Sequence, residues 1–185
     1  MAGATRIWLD CETTGLDATA GSILELAVVA TDPEAPEYRE LAAQSWLINP
    51  PGLWLDALDL RVLEMHTASG LIADVLARGV GVADAEAGLV SFLQYFGNPA
   101  PGREPIAGSS PHFDRRWLDV HMPTAARYFS HRVFDASTLK RFALDHGCAA
   151  WDQHDGSGGA AHRALADVRY SIETARTVAR LLSVR

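Results

Sequence analysis

The chain has 185 residues, of which 48% are hydrophobic and 21% charged, and its formal net charge is −7. These values are typical of one globular domain with a sizeable core, and no apolar run approaches the roughly 20 residues of a membrane-spanning helix. The acidic balance argues against a protein that coats long nucleic acid through a broad basic surface, because such binding depends on many Lys and Arg contacts to phosphates. It remains compatible with a short anionic ligand whose charge is met by bound metal.

The cysteines and the N-terminus bear on the cellular setting. Cys11 and Cys148 are too few for a disulfide framework and lack the spacing of a metal site. The N-terminal residues enter a strand pattern without the basic segment and apolar stretch of a secretory signal. Together these features predict a reducing, cytoplasmic setting without membrane attachment.

The first half of the chain is predicted to contain three strands followed by helices. Apolar runs separated by turn residues predict strands over residues 5–13, 23–31 and 42–50. The short connections between these strands predict an antiparallel meander. Residues 66–79 and 82–97 then place apolar side chains at helical spacing.

The second half alternates short strands with helices. Strands are predicted over residues 104–110 and 132–137, and each leads into a helix. The second of these helices has Ser137 as its predicted N-cap and Gly147 as its stop. A glycine-rich loop over residues 151–161 feeds a long amphipathic helix. The order β-β-β-α-β-α-β-α predicts a single α/β domain with a mixed sheet.

Two carboxylates interrupt the apolar pattern of the first strand. Because residues i and i+2 of a strand point to the same face, Asp10 and Glu12 project together. Adjacent carboxylates repel each other and therefore need a shared proton or a cation, and hard divalent cations prefer oxygen ligands. The pair alone is equally compatible with a solvated strand end.

Three further polar residues, later in the chain, are candidates for the same site. Asp114 is predicted in the first turn of the helix after the central strand, where α/β folds place their sites, although a helix-start aspartate has the same position. His162 and Asp167 are five residues apart, which is about 500° around a helix, so two helical positions would not share a face. The sequence therefore predicts His162 in the glycine-rich entry loop and Asp167 on the helix.

Taken in order, these residues resemble the DEDD-type 3′→5′ exonucleases of the histidine subclass, and within them the oligoribonuclease family. The likeness is carried by the segments WLDCETTGLD, EMHTASGLI, IAGSSPHFDRRWL, FDASTLKRFA and HRALADVRYSIE, which extend from the first strand to about residue 174. The resemblance implies a ribonuclease H-like fold with a five-stranded mixed sheet flanked by helices. This agrees with the element order, and it implies one exonuclease domain over residues 1–185.

The resemblance also implies the role of each site residue. Asp10, Glu12, Asp114 and Asp167 match the metal-binding acids, and His162 matches the general base that takes a proton from the attacking water. Two divalent cations, Mg²⁺ or Mn²⁺, are the implied cofactors and flank the phosphate that is cleaved. The implied partners are short single-stranded RNA and a second copy of the chain in a homodimer, with no stable long nucleic-acid partner.

The implied substrate pocket favours very short RNA, down to dinucleotides. Leu16 matches a leucine that wedges against a base, and a group of polar residues matches the cap on the 5′ phosphate: Ser110, Arg132, Ser137 and Thr138. A guanidinium with hydroxyls suits a terminal phosphate, although Ser137 and Thr138 also suit simple helix capping.

Three positions depart from the family pattern. His131 stands where many members have a tyrosine donated by the partner subunit, and Arg61 stands where many have a stacking tryptophan. Thr13 resembles the DNA-proofreading branch, since oligoribonucleases more usually carry methionine there. These departures leave strict dinucleotide selectivity open.

Three hypotheses about function follow. The first is a metal-dependent 3′→5′ exoribonuclease that cuts short RNA to nucleoside 5′-monophosphates. The second is a 3′→5′ DNA exonuclease of the proofreading-subunit type, which a panel of RNA and DNA lengths would separate from the first. The third is a nucleotide-binding module that does not cleave. Such a module would usually have lost an acid or the histidine, and all five are present.

Overall fold

A computed structural model describes residues 5–34, 37–52, 55, 58–98, 100–147 and 162–183, and these residues form five strands and seven helices. The strands are β1 Arg6–Thr13, β2 Ile23–Asp32, β3 Arg39–Leu47, β4 Glu104–Gly108 and β5 Phe129–Asp135. The helices are α1 Leu60–Ala68, α2 Leu71–Arg78, α3 Val82–Phe96, α4 His112–His121, α5 Pro123–Ala126, α6 Ala136–Asp145 and α7 Ala164–Ser183.

The strands form one mixed sheet in the order β3-β2-β1-β4-β5. β1, β2 and β3 pair antiparallel, as the predicted meander requires, whereas β4 pairs parallel with β1 and β5 parallel with β4. The predicted α/β class with a five-stranded mixed sheet is confirmed.

The two faces of the sheet are buried under different helices. Ile7, Leu9 and Cys11 point into a core layer that contains buried side chains of α3, α4 and α5, whereas Trp8 points into the layer of α7. Because side chains alternate along a strand, Asp10 and Glu12 share the face of Trp8. Cys11, which lies between the two carboxylates in sequence, is therefore on the opposite face of the sheet.

The long helix α7 packs across the sheet face that carries the two acids. Its buried side chains Ala164, Val168, Ile172 and Ala175 follow helical spacing and contact the cluster around Trp8. Burial of this apolar stripe fixes α7 against β1, and therefore brings the first turn of α7 to the end of that strand.

Strand boundaries differ from those predicted. β3 and β5 each begin three residues earlier than expected. β3 ends three residues earlier, at Leu47, whereas β4 and β5 each end two residues earlier, at Gly108 and Asp135. Pairing explains the early start of β3, because Arg39 faces Asp32 of β2. The length of an edge strand depends on its neighbour, which local composition does not specify.

The helix predicted over residues 66–79 is two helices. Gly70 has a φ of +74°, in the left-handed region, and separates α1 from α2. Glycine adopts this conformation at little cost and commonly ends a helix. The start of α1 was not predicted either; there the side chain of Asp59 accepts the Arg61 N–H.

The predicted N-cap of α6 was wrong, and its predicted stop was right. Ser137 lies inside the helix, and the carboxylate of Asp135 is the cap because it accepts the Ser137 N–H at 2.9 Å. A carboxylate caps a helix at least as well as a hydroxyl. Gly147 follows the helix with a φ of +70°, as expected for a terminating glycine.

In the described ranges, no helix is both long and apolar enough to cross a membrane. The glycine-rich loop predicted over residues 151–161 and Cys148 lie outside the described residues.

Candidate active site

Three carboxylates meet at the end of β1, on the sheet face covered by α7. Asp10 and Glu12 come from β1 and Asp167 from the first turn of α7, and one oxygen atom of each lies within 4.8 Å of the other two. Glu12 is only 7% exposed, and the other two acids are half-buried. Oxygen ligands at this spacing fit a hard divalent cation, which would offset their mutual repulsion.

Asp114 reaches the same site from the opposite layer. It lies in the first turn of α4, as predicted, and its Oδ1 accepts the Cys11 N–H at 2.9 Å. The pairing between β4 and β1 involves Ile7 and Trp8 of β1, and the Cys11 N–H lies beyond this paired stretch. The Asp114 carboxylate therefore accepts the hydrogen bond that a neighbouring strand would otherwise accept from Cys11. After burial, the charge of Asp114 is the largest cause of the raised pKa of Asp10.

The turn between β4 and α4 allows this approach. A Cβ at Gly108 would lie 2.7 Å from the carbonyl oxygen of Leu9, so only glycine permits the two strands to come this close. Ser110 has a φ of +56°, a conformation that costs a non-glycine residue about 1 kcal/mol or more. Both features direct the first turn of α4, and hence Asp114, toward β1.

Burial raises the pKa of the clustered carboxyl groups when no cation is bound. Burial, followed by the charges of Asp167 and Glu25, raises the pKa of Glu12 to about 8. Burial likewise raises the pKa of Asp114 to about 7, and that of Asp10 well above its ordinary value. A cation that binds here would displace these protons, so its affinity should increase with pH.

These pKa values predict that the metal-free protein loses thermal stability as pH rises from about 5 to about 9. The unfolded chain releases the Glu12 proton near 4.5, whereas the folded protein keeps it to about 8, so folding becomes less favourable between these values. A difference of this size corresponds to about 5 kcal/mol, or roughly 10–20 °C in melting temperature. Thermal melts in EDTA measure it.

Two comparisons sharpen this measurement. Saturating Mn²⁺ should remove much of the decline, because the cation replaces the protons, and Glu12→Gln should reduce the decline in EDTA, because glutamine does not titrate. A melting temperature that rises with pH between 5 and 8 in EDTA would contradict the raised carboxylate pKa values.

His66 supports the end of β1 from α1, which fits the structural role that its sequence segment suggested. The ring is fully buried, its Nε2 lies 2.9 Å from the carbonyl oxygen of Thr13, and its Nδ1 lies 3.8 Å from Glu12 Oε2. Burial lowers the pKa of His66, so the neutral ring donates its Nε2–H to Thr13. This contact holds the backbone directly after Glu12.

His162 lies immediately before α7, outside the helix, as the five-residue spacing from Asp167 predicted. It is half-buried and has a φ of +46°. Its neighbour Arg163 binds Glu25, which is paired with Glu12 across β1 and β2.

A fifth carboxylate, Glu25, lies beside the site and was missed. It faces Glu12 across β1 and β2, is 4% exposed, and raises the pKa of both Glu12 and Asp10. Its partner is Arg163, which binds both of its carboxylate oxygens at 3.1 and 3.2 Å. The signal in the sequence was a single glutamate within the otherwise apolar run ILELAVVAT.

Three of the residues predicted to cap a phosphate gather around Asp135. Its Oδ1 accepts the backbone N–H groups of Ser110 and Ser137, and its Oδ2 accepts the Thr138 hydroxyl at 2.8 Å. Burial opposes ionisation of Asp135, yet these hydrogen bonds hold its pKa below the ordinary value. The hydroxyl oxygens of Ser110 and Ser137 lie 3.4 Å apart.

The remaining residues predicted to bind substrate are on the surface. His131 and Arg132 are exposed on β5, and none of the described contacts joins their side chains to the Asp135 cluster. Leu16 is 84% exposed in the loop after β1. Arg61 is also exposed, on the first turn of α1.

Leu16 lines an open pocket of about 200 Å³ next to the carboxylates. The other lining residues are Cys11, Glu12, Thr13, Gly15, Val62, Met65 and Phe113. This volume is below the roughly 300–1,000 Å³ of sites for drug-sized ligands. The apolar residues Val62, Met65 and Phe113 were not singled out in the sequence, because each also fits the apolar face of its helix.

Comparisons with known proteins give consistent results. The family model RNase_T, described as "Exonuclease", matches residues 7–175. The oligoribonuclease of Streptomyces avermitilis is 36% identical over 171 residues, which cover 92% of this chain and 82% of that protein. The oligoribonuclease of Bordetella pertussis is 36% identical over 167 residues, which cover 90% of this chain and 89% of that protein.

A structural likeness agrees with these relatives. E. coli exonuclease I in complex with a dT13 oligonucleotide superimposes with a TM-score of 0.67 over 98% of this chain, at 16% sequence identity. The match covers only 43% of that exonuclease I chain. At this identity the likeness shows the fold alone, and it confirms the predicted ribonuclease H-like exonuclease fold.

Proposed function

The chain belongs to the oligoribonuclease family of exonucleases, and from that membership we propose that it is a metal-dependent 3′→5′ exoribonuclease acting on short RNA, down to dinucleotides. Its products are nucleoside 5′-monophosphates, and residues 1–185 act as one exonuclease domain. The observation that carries this proposal is the meeting of Asp10, Glu12 and Asp167 within 4.8 Å, with Asp114 on the adjacent backbone.

The acids of the site are proposed to hold two divalent cations, Mg²⁺ or Mn²⁺. Asp10, Glu12, Asp114 and Asp167 supply only oxygen atoms, which these ions prefer. When bound, such ions stabilise the charge that develops on the phosphate and on the attacking and leaving oxygens. Because they also reverse the local field, a protein with a net charge of −7 can accept an anionic substrate.

His162 is proposed to take the proton from the attacking water. A histidine is suited to this step because its ordinary pKa lies close to neutral pH. His162 lies just before the helix that carries Asp167, and a proton acceptor must come within hydrogen-bonding distance of the water in the substrate complex. The position of His162 outside α7 supports such a movement.

The substrate-binding residues are proposed to hold a base and a terminal phosphate. Leu16 and the apolar lining of the adjacent pocket contact the faces of a base, which gives little discrimination between bases. The 5′ phosphate is met by the side chains of Ser110, Arg132, Ser137 and Thr138, and His131 is a further substrate-binding residue at the position of the tyrosine that the partner subunit donates in many family members. Asp135 already accepts hydrogen bonds from the Thr138 hydroxyl and the Ser137 N–H. A phosphate must therefore either compete with Asp135 for the Thr138 hydroxyl or bind to the serine hydroxyls and the Arg132 guanidinium.

A cytoplasmic homodimer is the proposed state of the protein. Val133 on the edge strand β5 is 48% exposed and Phe142 on α6 is 59% exposed, so each offers an apolar side chain for contact with a second copy. The low number of cysteines supports a reducing compartment. Sedimentation velocity at micromolar concentration tests the dimer, and a monomer throughout would contradict it.

The function is tested with 5′-labelled RNA of two, five and twelve nucleotides and with DNA of the same sequences, in Mg²⁺ or Mn²⁺. We expect the RNA dinucleotide to give the highest kcat/KM, and EDTA to abolish cleavage. A dinucleotide without its 5′ phosphate should be a weaker substrate, because the phosphate-binding side chains then lack their partner. Preference for the twelve-nucleotide RNA would disprove the selectivity for short RNA.

The same panel distinguishes the alternatives. A preference for DNA would favour a proofreading-type exonuclease, which has less support because the oligoribonucleases are the relatives with substantial identity. Tight binding of oligonucleotides without cleavage in either metal would favour a module that binds nucleotides and does not hydrolyse them.

A further inference from the structure

Arg163 connects three elements at the start of α7. Its Nε and Nη2 form a bidentate ion pair with Glu25 of β2, at 3.1 and 3.2 Å. Its Nη1 binds Oδ2 of Asp74 in α2, at 2.9 Å. A bidentate arginine–carboxylate pair fixes orientation as well as distance. The residue therefore ties the beginning of α7 to the sheet and to a neighbouring helix.

The Glu25 carboxylate also binds the backbone of the same segment. Its Oε2 accepts the Ala164 N–H at 3.0 Å, and thereby satisfies one of the unpaired donors of the first helical turn. The carbonyl of Arg163 in turn accepts the Asp167 N–H at 3.1 Å. Side chain and backbone of residues 163 and 164 are therefore held by one buried carboxylate.

This segment lies between two residues of the proposed catalytic machinery. His162 immediately precedes Arg163, and Asp167 follows it by four residues, one helical turn. A shift of the segment would move His162 and Asp167 together relative to β1. Misplacement of reacting groups by about 1 Å is enough to reduce a rate about a hundredfold.

The ion pair also controls the charge beside the carboxylates. Glu25 faces Glu12 across the strands, and without a partner it would add a fifth negative charge to the cluster. The arginine neutralises that charge and keeps both Glu25 oxygens engaged. Glu25 is thus kept out of the set of oxygen atoms available to a cation.

We propose that Arg163 is a positioning residue for this site: through Glu25 it sets the placement of His162 and Asp167 against β1, and it keeps Glu25 from acting as a cation ligand. The part that concerns hydrolysis rests on the proposed function. The part that concerns Asp167 is independent of catalysis, because it can be measured as metal affinity.

The test compares Arg163→Gln and Arg163→Lys with Arg169→Gln. Arg169 is a matched control because it lies on α7, directly after the segment of Arg163, and forms a bidentate pair with a glutamate of the sheet, Glu40, at 3.0 and 3.2 Å, on the solvent side. For Arg163→Gln we expect kcat on an RNA dinucleotide to fall about 10- to 100-fold, and Mn²⁺ affinity, measured by calorimetry, to fall by the same factor. This is the usual effect of removing a residue that orients a metal ligand without binding the metal itself. KM should change by less than about threefold.

The conservative variant and the control complete the design. Arg163→Lys keeps the charge and loses the bidentate geometry, so kcat should recover only in part. Arg169→Gln should leave kcat and Mn²⁺ affinity unchanged, and thermal melts of all variants show whether each is folded.

The outcomes are separable. Mn²⁺ affinity and kcat of Arg163→Gln within about twofold of the unmodified protein would overturn the proposal, as would a loss confined to KM. Should Arg163→Gln fail to fold, the same criteria apply to Arg163→Lys. If the unmodified protein cleaves neither RNA nor DNA, the proposed function has failed, and the Mn²⁺ comparison still decides whether Arg163 positions Asp167.

Discussion

Replacing Asp10 with asparagine should reduce turnover of an RNA dinucleotide by about a thousandfold or more, while making the metal-free protein more stable to heat. The loss follows because charge stabilisation by a bound cation is worth several kcal/mol and each 1.36 kcal/mol is a factor of ten in rate. The gain in stability follows because burial and the charges of Asp114, Glu12 and Asp167 raise the pKa of Asp10, so its ionised form is disfavoured in the fold.

The two effects are measured separately. Single-turnover assays in Mn²⁺ give the rate, calorimetry gives the metal affinity, and thermal melts in EDTA at pH 8 give the stability. Asp145→Asn is the matched control, because Asp145 is exposed at the end of α6, paired only with Arg141 among the described contacts, and should change none of the three. Retention of more than a tenth of the activity by Asp10→Asn would disprove its role in holding the cation.

Replacing His162 with alanine should reduce kcat by about 10²- to 10⁴-fold, the usual contribution of a general base, and should leave Mn²⁺ affinity unchanged. The expected separation follows because His162 lies outside the group of carboxylates that meet within 4.8 Å. The rate of the unmodified protein should also fall at acidic pH, where the base is protonated, and this dependence should be weaker in the variant.

His146→Ala is the control for this prediction. His146 is an exposed histidine that stacks on Phe142 at the end of α6, so its loss should not affect turnover. Added imidazole should restore part of the activity of His162→Ala by supplying a proton acceptor. If His162→Ala turns over substrate at the unmodified rate with metal bound, another group takes the proton.

Arg163 and Asp10 differ in what their loss would show. Asp10 offers its own oxygens to a cation, whereas Arg163 acts through Glu25 on the segment that carries His162 and Asp167. Loss of the Asp10 carboxylate should abolish metal affinity, whereas loss of the Arg163 side chain should only weaken it. The two variants together therefore distinguish a ligand from a residue that positions one.

The substrate pocket was only partly accessible from the sequence. The exposed position of Leu16 beside the carboxylates agrees with its predicted place at a base, but the apolar wall of the pocket comes from Val62 and Met65 on α1 and Phe113 on α4. Helical spacing identifies such residues only as one face of a helix. Whether that face meets solvent, core or substrate depends on how the helices pack.

The phosphate-binding group shows a similar limit. The resemblance implied Ser110, Ser137 and Thr138 as one group, and the structure brings them together around Asp135. Asp135 was not expected to organise them, although it is adjacent in sequence. A carboxylate at the end of a strand can cap a helix, bind a cation or face solvent, and only the neighbouring donors decide which.

The sequence by itself determined the order of the five strands, the projection of Asp10 and Glu12 to one face of a strand, and the position of His162 outside the helix of Asp167. These follow from the two-residue period of strands and the 3.6-residue turn of helices, which are properties of the local backbone. Only the tertiary structure decided that Glu25 is a fifth acid of the site and that Arg163 neutralises it, because those residues are 138 positions apart. A buried charge is stable only with its partner, and burial and partner are set by the packing of the whole chain.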